Sequence, residues 1–96
     1  KGNTALLRLM PAFEVKLAKP YPDPYLKGLQ IAGVPASEAV VVENAPLGIR
    51  AAVAAGIDTI AVNTGPLEDE ILLAEKPVLL LHSMQELADN LENLFA

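Results

Sequence analysis

The sequence predicts an α/β fold, a parallel sheet with helices on both faces. Two observations carry that prediction. Short, continuously apolar runs recur at residues 39–42, 59–62 and 78–81, as expected for parallel strands covered on both sides. Helix-forming stretches at 46–55 and 68–75 separate them, with connections short enough to demand right-handed crossovers.

From the amino terminus, Leu6, Leu7, Leu9 and Met10 make an apolar patch read as a helical turn or two, which Pro11 ends. Phe13, Val15 and Leu17 alternate with Glu14 and Lys16, the period-two signature of a half-buried strand. Pro20, Pro22 and Pro24 hold the chain extended until Asp23 caps a helix whose first position is Pro24. That helix is expected to turn Leu26, Leu29 and Ile31 inward and to stop at Gly33.

Ser37 and Glu38 lead into the strand at 39–42, which looks too apolar to be an edge, so another strand is expected beside it. The small residues Ala51, Ala52, Ala54 and Ala55 let the next helix approach the sheet closely before it ends at Gly56. Asn63-Thr64-Gly65-Pro66 is the loop at the carboxyl end of the strand at 59–62. The helix at 68–75 has acidic residues in its first turn, where the helix dipole favours them. Ser83 caps the last helix, whose buried stripe is Leu87, Leu91, Leu94 and Phe95. Strand and helix thus alternate four times, with no repeat, low-complexity tract or linker to divide residues 1–96.

Composition narrows the function. With 52% hydrophobic and 20% charged residues, the chain is one globular unit or a piece of one. A net charge of −5 with only 7 basic residues argues against nucleic acid as a partner. The absence of cysteine excludes a disulfide framework and a thiolate zinc site and fits a reducing cytoplasm. No apolar run approaches a membrane span, and a chain opening on Lys1 reads as a fragment or a processed product.

Chemistry is concentrated where Val40-Val41-Val42 runs into Glu43-Asn44, followed by Pro46 and Gly48. Two adjacent oxygen donors at a strand's carboxyl end suit Mg²⁺, which uses few protein ligands and keeps several waters. A solvated strand-end glutamate and a turn-forming asparagine are the competing reading, and spacing does not choose between them. Lys19, where a strand gives way to a proline-stiffened loop, could hold a phosphoryl oxygen as a point charge, although without context it reads as a surface lysine. Asn63, Thr64 and Gly65 could line the same sheet end or form a simple turn. Asp23 is explained as a cap, and Thr4, Ser37 and Ser83 as caps or turns. His82 is alone, follows a strand, lacks a partner acid or nucleophile in sequence and reads as a surface residue rather than a catalytic base. Tyr21 and Tyr25 read as packing on the loop. Neither a dinucleotide turn nor a P-loop is present.

With Lys19-Pro20-Tyr21-Pro22-Asp23-Pro24-Tyr25 and Val42-Glu43-Asn44-Ala45-Pro46-Leu47-Gly48-Ile49-Arg50 both in view, the chain resembles the haloacid dehalogenase-like hydrolases. The likeness is to their β-phosphoglucomutase and phosphatase branch. It extends through Ala55-Gly56 and Ile60-Ala61-Val62-Asn63-Thr64-Gly65. The resemblance implies a Rossmann-like three-layer core and Mg²⁺ as cofactor. Lys19 resembles the lysine that neutralises the phosphoryl group and the aspartyl nucleophile. Asn44 matches the acid that binds the metal directly, and Glu43 its neighbour, which helps hold the metal or its waters. The family more often has Asp where this chain has Asn44, and an amide removes a negative charge from the site. The family's early Asp-x-Asp motif, its Ser/Thr motif and its helical cap are not found in these 96 residues, so the chain resembles the carboxyl-terminal part of the core.

The expectation is a cytoplasmic Mg²⁺-dependent phosphohydrolase or phosphomutase. It would act on a small phosphorylated metabolite or pyrophosphate through an aspartyl-phosphate, with the missing amino-terminal half of the same protein as partner. The 96-residue chain alone is expected to be inactive. Two alternatives are a non-catalytic module that binds a phosphorylated ligand or completes a partner chain at an exposed flank beside residues 39–42, and an unrelated flavodoxin-like binding domain with Lys19 far from Asn44.

Overall fold

The computed structural model describes residues 5–8 and 20–95, including the side chains of residues 20–90. Among these, four parallel strands form one sheet: β1 (Ala5–Arg8), β2 (Ala39–Glu43), β3 (Asp58–Val62) and β4 (Leu79–Leu81), in the order β1-β2-β3-β4. Helices α1 (Asp23–Ala32), α2 (Pro46–Ala54) and α3 (Asp69–Leu73) lie between successive strands in sequence, and α4 (Met84–Phe95) closes the chain. A short 3₁₀ turn, Ala36–Glu38, leads into β2.

The opening differs from the sequence expectation. The apolar patch around Leu6 and Leu7 is a strand, not a helical turn, and pairs with β2 from Ala5 opposite Ala39 to Arg8 opposite Val42. A short apolar run has no periodicity that separates a buried strand from a helix. Here the uncovered flank of β2 decides. The additional strand expected beside residues 39–42 therefore comes from this same chain, and the exposed flank invoked for partner completion is filled by β1. The alternating segment at 13–17 lies outside the described residues.

Helix α1 also departs in detail. Its N-cap is Pro22, and Asp23 is the first helical residue, with no side-chain capping bond. The Asp23 carboxylate instead sits in the first turn, where the helix dipole favours it. The inward face is Tyr25, Gly28 and Leu29, whereas Leu26 and Ile31 are 47% and 60% exposed. Positions 25, 28 and 29 follow the i, i+3, i+4 rule of a helix face, which 26, 29 and 31 do not. Gly33 ends the helix in the left-handed conformation (φ 73°), its N–H donating to the Leu29 carbonyl.

Strand alternation sorts the core into two layers. On one face, Ala39 and Val41 of β2 pack with Tyr25 and Leu29 of α1, Ala51 and Ala52 of α2, and Ile57. Ile49, Ala61 and Leu72 continue this layer through α2, β3 and α3. On the other face, Val42, Ile60, Val62 and Leu81 meet Leu87 of α4. Helices thus cover both faces, as the sequence predicts. The Arg50 guanidinium donates to both carboxylate oxygens of Glu75 at 2.9 and 2.7 Å, tying α2 to the end of α3.

Leu72 is the fully buried residue that attaches the short α3 to the sheet. Leu72→Ala is expected to cost about 2–5 kcal/mol, lost methylene burial plus the cavity left behind. Urea unfolding followed by circular dichroism should show a lower midpoint with little change in slope.

Candidate functional site

Because the strands are parallel, their carboxyl ends lie along one edge of the sheet. Asn44, Asn63 and His82 each stand one residue past a strand end, after β2, β3 and β4. Register brings these ends together, with Glu43 opposite Ala61 and Val62 opposite Leu81. Open parallel sheets bind their ligands at this edge.

Glu43 and Asn44 divide into different roles. Glu43 is 2% exposed, its side chain facing the layer of α1 and α2. The Tyr25 hydroxyl donates to its Oε2 at 2.5 Å, and the Asn44 backbone N–H donates to its Oε1 at 3.1 Å. Burial first, then the hydrogen bond to Glu43 and its charge, push the Tyr25 phenol above its ordinary range. The phenol therefore remains a protonated donor throughout the neutral range. Gly48, in the first turn of α2, lies against the same carboxylate, and a Cβ there would fall inside contact distance of Glu43 Cδ and both oxygens. Glycine is required here because a buried side chain occupies the space. Asn44 is exposed at the strand end.

Asn63 is partly buried and organises its own loop. Its side-chain amide donates to the Leu67 carbonyl at 2.9 Å and to Asp69 Oδ1 at 2.8 Å, while its backbone N–H donates to Leu81 at 2.7 Å. His82, exposed as the sequence suggests, does have acidic partners: Asp69, thirteen residues earlier, contacts its Nε2 at 2.9 Å, and Glu86 approaches its Nδ1 at 3.8 Å. Ser83 caps α4 as expected, accepting from the Glu86 N–H at 3.0 Å. Lys19 lies outside the described residues, as does Thr4.

A family model for haloacid dehalogenase-like hydrolases matches residues 7–62, across both motifs and the strand end just described. The chain belongs to the haloacid dehalogenase-like hydrolases. Within the family, hexitol phosphatase A of Escherichia coli (strain K12) is 43% identical over 76 residues, covering 79% of this chain and 34% of that protein. Glycerol-1-phosphate phosphohydrolase 2 of Saccharomyces cerevisiae is 45% identical over 60 residues, 55% of this chain and 24% of that one. A solved structure described as "putative beta-phosphoglucomutase from Bacteroides vulgatus" has 57% identity and a TM-score of 0.81, over 83% of this chain and 33% of that chain. The chain thus spans about a third or less of the length of these relatives. Membership in this hydrolase family removes the unrelated flavodoxin-like reading.

The sequence reading placed Tyr25 as packing on the loop, whereas it lies fully buried on the inner face of α1 and donates to Glu43, and it gave Gly48 no role of its own. The available signal was spatial complementarity: an aromatic hydroxyl on the inner face of α1, a carboxylate ending a buried strand, and a glycine in the first turn of the following helix. Gly48→Ala is expected to lower stability by about 1–3 kcal/mol through overpacking against Glu43. In a Glu43→Ala background the same change should cost less. A denaturation double-mutant cycle is expected to give a coupling of about 0.5–3 kcal/mol, and additive losses would show that the two positions do not share this space.

Proposed function

We propose that this chain is the carboxyl-terminal part of the catalytic core of a Mg²⁺-dependent phosphohydrolase or phosphomutase that works through an aspartyl-phosphate. One observation carries the reading. The family match spans the segment in which Asn44 is presented at the sheet's carboxyl edge while the preceding Glu43 is anchored behind it. Small phosphorylated sugars or polyols are the proposed substrate class, supported by the names of the relatives: a hexitol phosphatase, a glycerol-1-phosphate phosphohydrolase and a β-phosphoglucomutase. Pyrophosphate belongs to the same proposal, since another relative, 39% identical over 69 residues, is named "Putative pyrophosphatase PpaX".

The donor set fits one corner of a Mg²⁺ site. Asn44 offers a hard amide oxygen in the open, and Glu43 fixes the backbone from which that oxygen projects. Among the described residues no group of three or more acidic, histidine or cysteine side chains could hold a metal, so the remaining ligands belong to the rest of the protein. When bound, Mg²⁺ would neutralise charge on the transferring phosphoryl group. Lys19 is assigned the same electrostatic task from the protein side. Asn63 is assigned to the wall of the site, with its loop held at the next strand end.

The amino-terminal half of the same protein would supply the nucleophilic aspartate and the substrate-selecting cap. The cytoplasm is the proposed location, in keeping with the absence of cysteine. Among the described residues no helix is long and apolar enough to cross a membrane. A second reading, a phosphate-binding module without catalysis, is favoured by Asn44 itself, whose neutral amide withdraws a charge that a tight metal site would use.

The purified 96-residue chain is expected to release no phosphate from hexitol phosphates or glycerol phosphate in the presence of Mg²⁺. Turnover by the chain that disappears on Lys19→Ala would overturn this expectation of inactivity. In the full-length protein, Lys19→Ala is expected to lower kcat about 100- to 1,000-fold. Asn44→Asp should lower the Mg²⁺ concentration needed for half-maximal rate, whereas an unchanged requirement would remove Asn44 from the metal.

A further inference from the structure

Three segments that are separate in sequence meet at one carboxylate. Asp69, the first residue of α3, accepts from the Asn63 side-chain amide through Oδ1 at 2.8 Å and contacts His82 Nε2 through Oδ2 at 2.9 Å. On the far side of the ring, Glu86 Oε1 lies 3.8 Å from His82 Nδ1 and accepts the His82 backbone N–H at 2.9 Å. The backbone between them is joined as well, Asn63 N–H donating to the Leu81 carbonyl at 2.7 Å. A neutral imidazole donating to Asp69 through Nε2 turns the Nδ1 lone pair toward a second carboxylate. Protonation replaces that lone pair with an N–H, so both acids then face a donor.

We infer that His82 and Asp69 form a proton-dependent clasp that fixes the Asn63–Leu67 loop at the carboxyl end of the sheet. Its bearing on turnover rests on reading that edge as the phosphate site. The clasp itself does not. Among the described residues, the ionisable groups shown facing His82 are Asp69 from α3 and Glu86 from α4.

The hydrogen bond and charge of Asp69, with a smaller contribution from Glu86, hold the imidazole above its ordinary value. The His82 and Asn63 hydrogen bonds hold the Asp69 carboxyl below its own. The raised imidazole contributes fully below its ordinary titration range, and that contribution disappears as pH rises through the raised value. The lowered Asp69 contributes above the ordinary carboxylate range, and its part disappears as pH falls through the lowered value. The clasp is therefore tightest between those limits and loosens as His82 loses its proton.

His82 is the single histidine of the chain, so its ring resonances report without ambiguity in a proton NMR titration of the chain itself. A midpoint above the ordinary imidazole value that falls back toward it in Asp69→Asn is expected. The Asn63 side-chain amide signals should move with the same midpoint. Exchange of the Asn63 backbone amide, corrected for intrinsic base catalysis, should quicken about two- to five-fold above that midpoint. His82→Gln, which keeps a donor but cannot titrate, should flatten both responses without unfolding the chain. An imidazole midpoint that is the same in the wild type and in Asp69→Asn, or Asn63 signals that do not change across it, would overturn the clasp. Neither readout depends on phosphatase activity, so failure of the phosphohydrolase reading would leave this result standing.

Discussion

The arrangement of the sheet edge depends on one buried carboxylate. Glu43 closes β2, yet its side chain turns into the helical layer, where the Tyr25 hydroxyl and the Asn44 backbone N–H both donate to it. A buried acid is costly unless such donors are fixed in place. Three elements are consequently held in register around it: α1 through Tyr25, β2 through Glu43 and α2 through the close approach of Gly48. Displacing any one of them leaves a polar group poorly matched or two groups in collision. The carboxylate therefore sets where α2 begins and how Asn44 leaves the strand.

Parallel pairing does the remaining assembly. β2, β3 and β4 each deliver one polar residue just beyond their ends, and side-by-side register gathers Asn44, Asn63 and His82 along one edge of the sheet. The edge is then built in two ways. At β2 a buried anchor supports an exposed donor. At β3 and β4 a partly exposed network of Asn63, Asp69, His82 and Glu86 joins loop to helix. The first kind is expected to be rigid and insensitive to salt and the second weak and tunable, since desolvation strengthens one and solvent screens the other.

Much of this fold was legible in the sequence because local signals and tertiary demands agreed. β2, β3 and β4 were marked by apolar runs, α2 by small residues between Pro46 and Gly56, and the ends of α1 and α4 by Gly33 and Ser83. The opening was misread because Leu6 and Leu7 carry no periodicity, and only the need of β2 for a neighbour makes them a strand. In α1, Gly28 on the inner face hid the true stripe and left Leu26 and Ile31 looking like core. Glu43 and Asn44 were visible as a pair, but sequence cannot say which of two adjacent polar residues turns inward. Asp69 and His82 were invisible as partners for a simpler reason: the contact crosses a helix and a strand.

The strand's own geometry explains why the Glu43-Asn44 pair is not a simple double ligand. Successive side chains on a strand point to opposite faces, so two neighbours at its end do not present their oxygens in parallel. Glu43 keeps the strand's inward direction and is absorbed by α1 and α2, whereas Asn44 stands where the chain turns toward α2 and reaches the open edge. The pair works in series: the carboxylate holds the Asn44 N–H, and the Asn44 side chain faces outward from a backbone thus fixed. Tyr25 completes the series from behind, its phenol kept protonated by burial so that it contributes a donor without adding charge. Exchanging the Asn44 amide for an acid would therefore alter the charge offered at the edge and leave the buried scaffold beneath it intact.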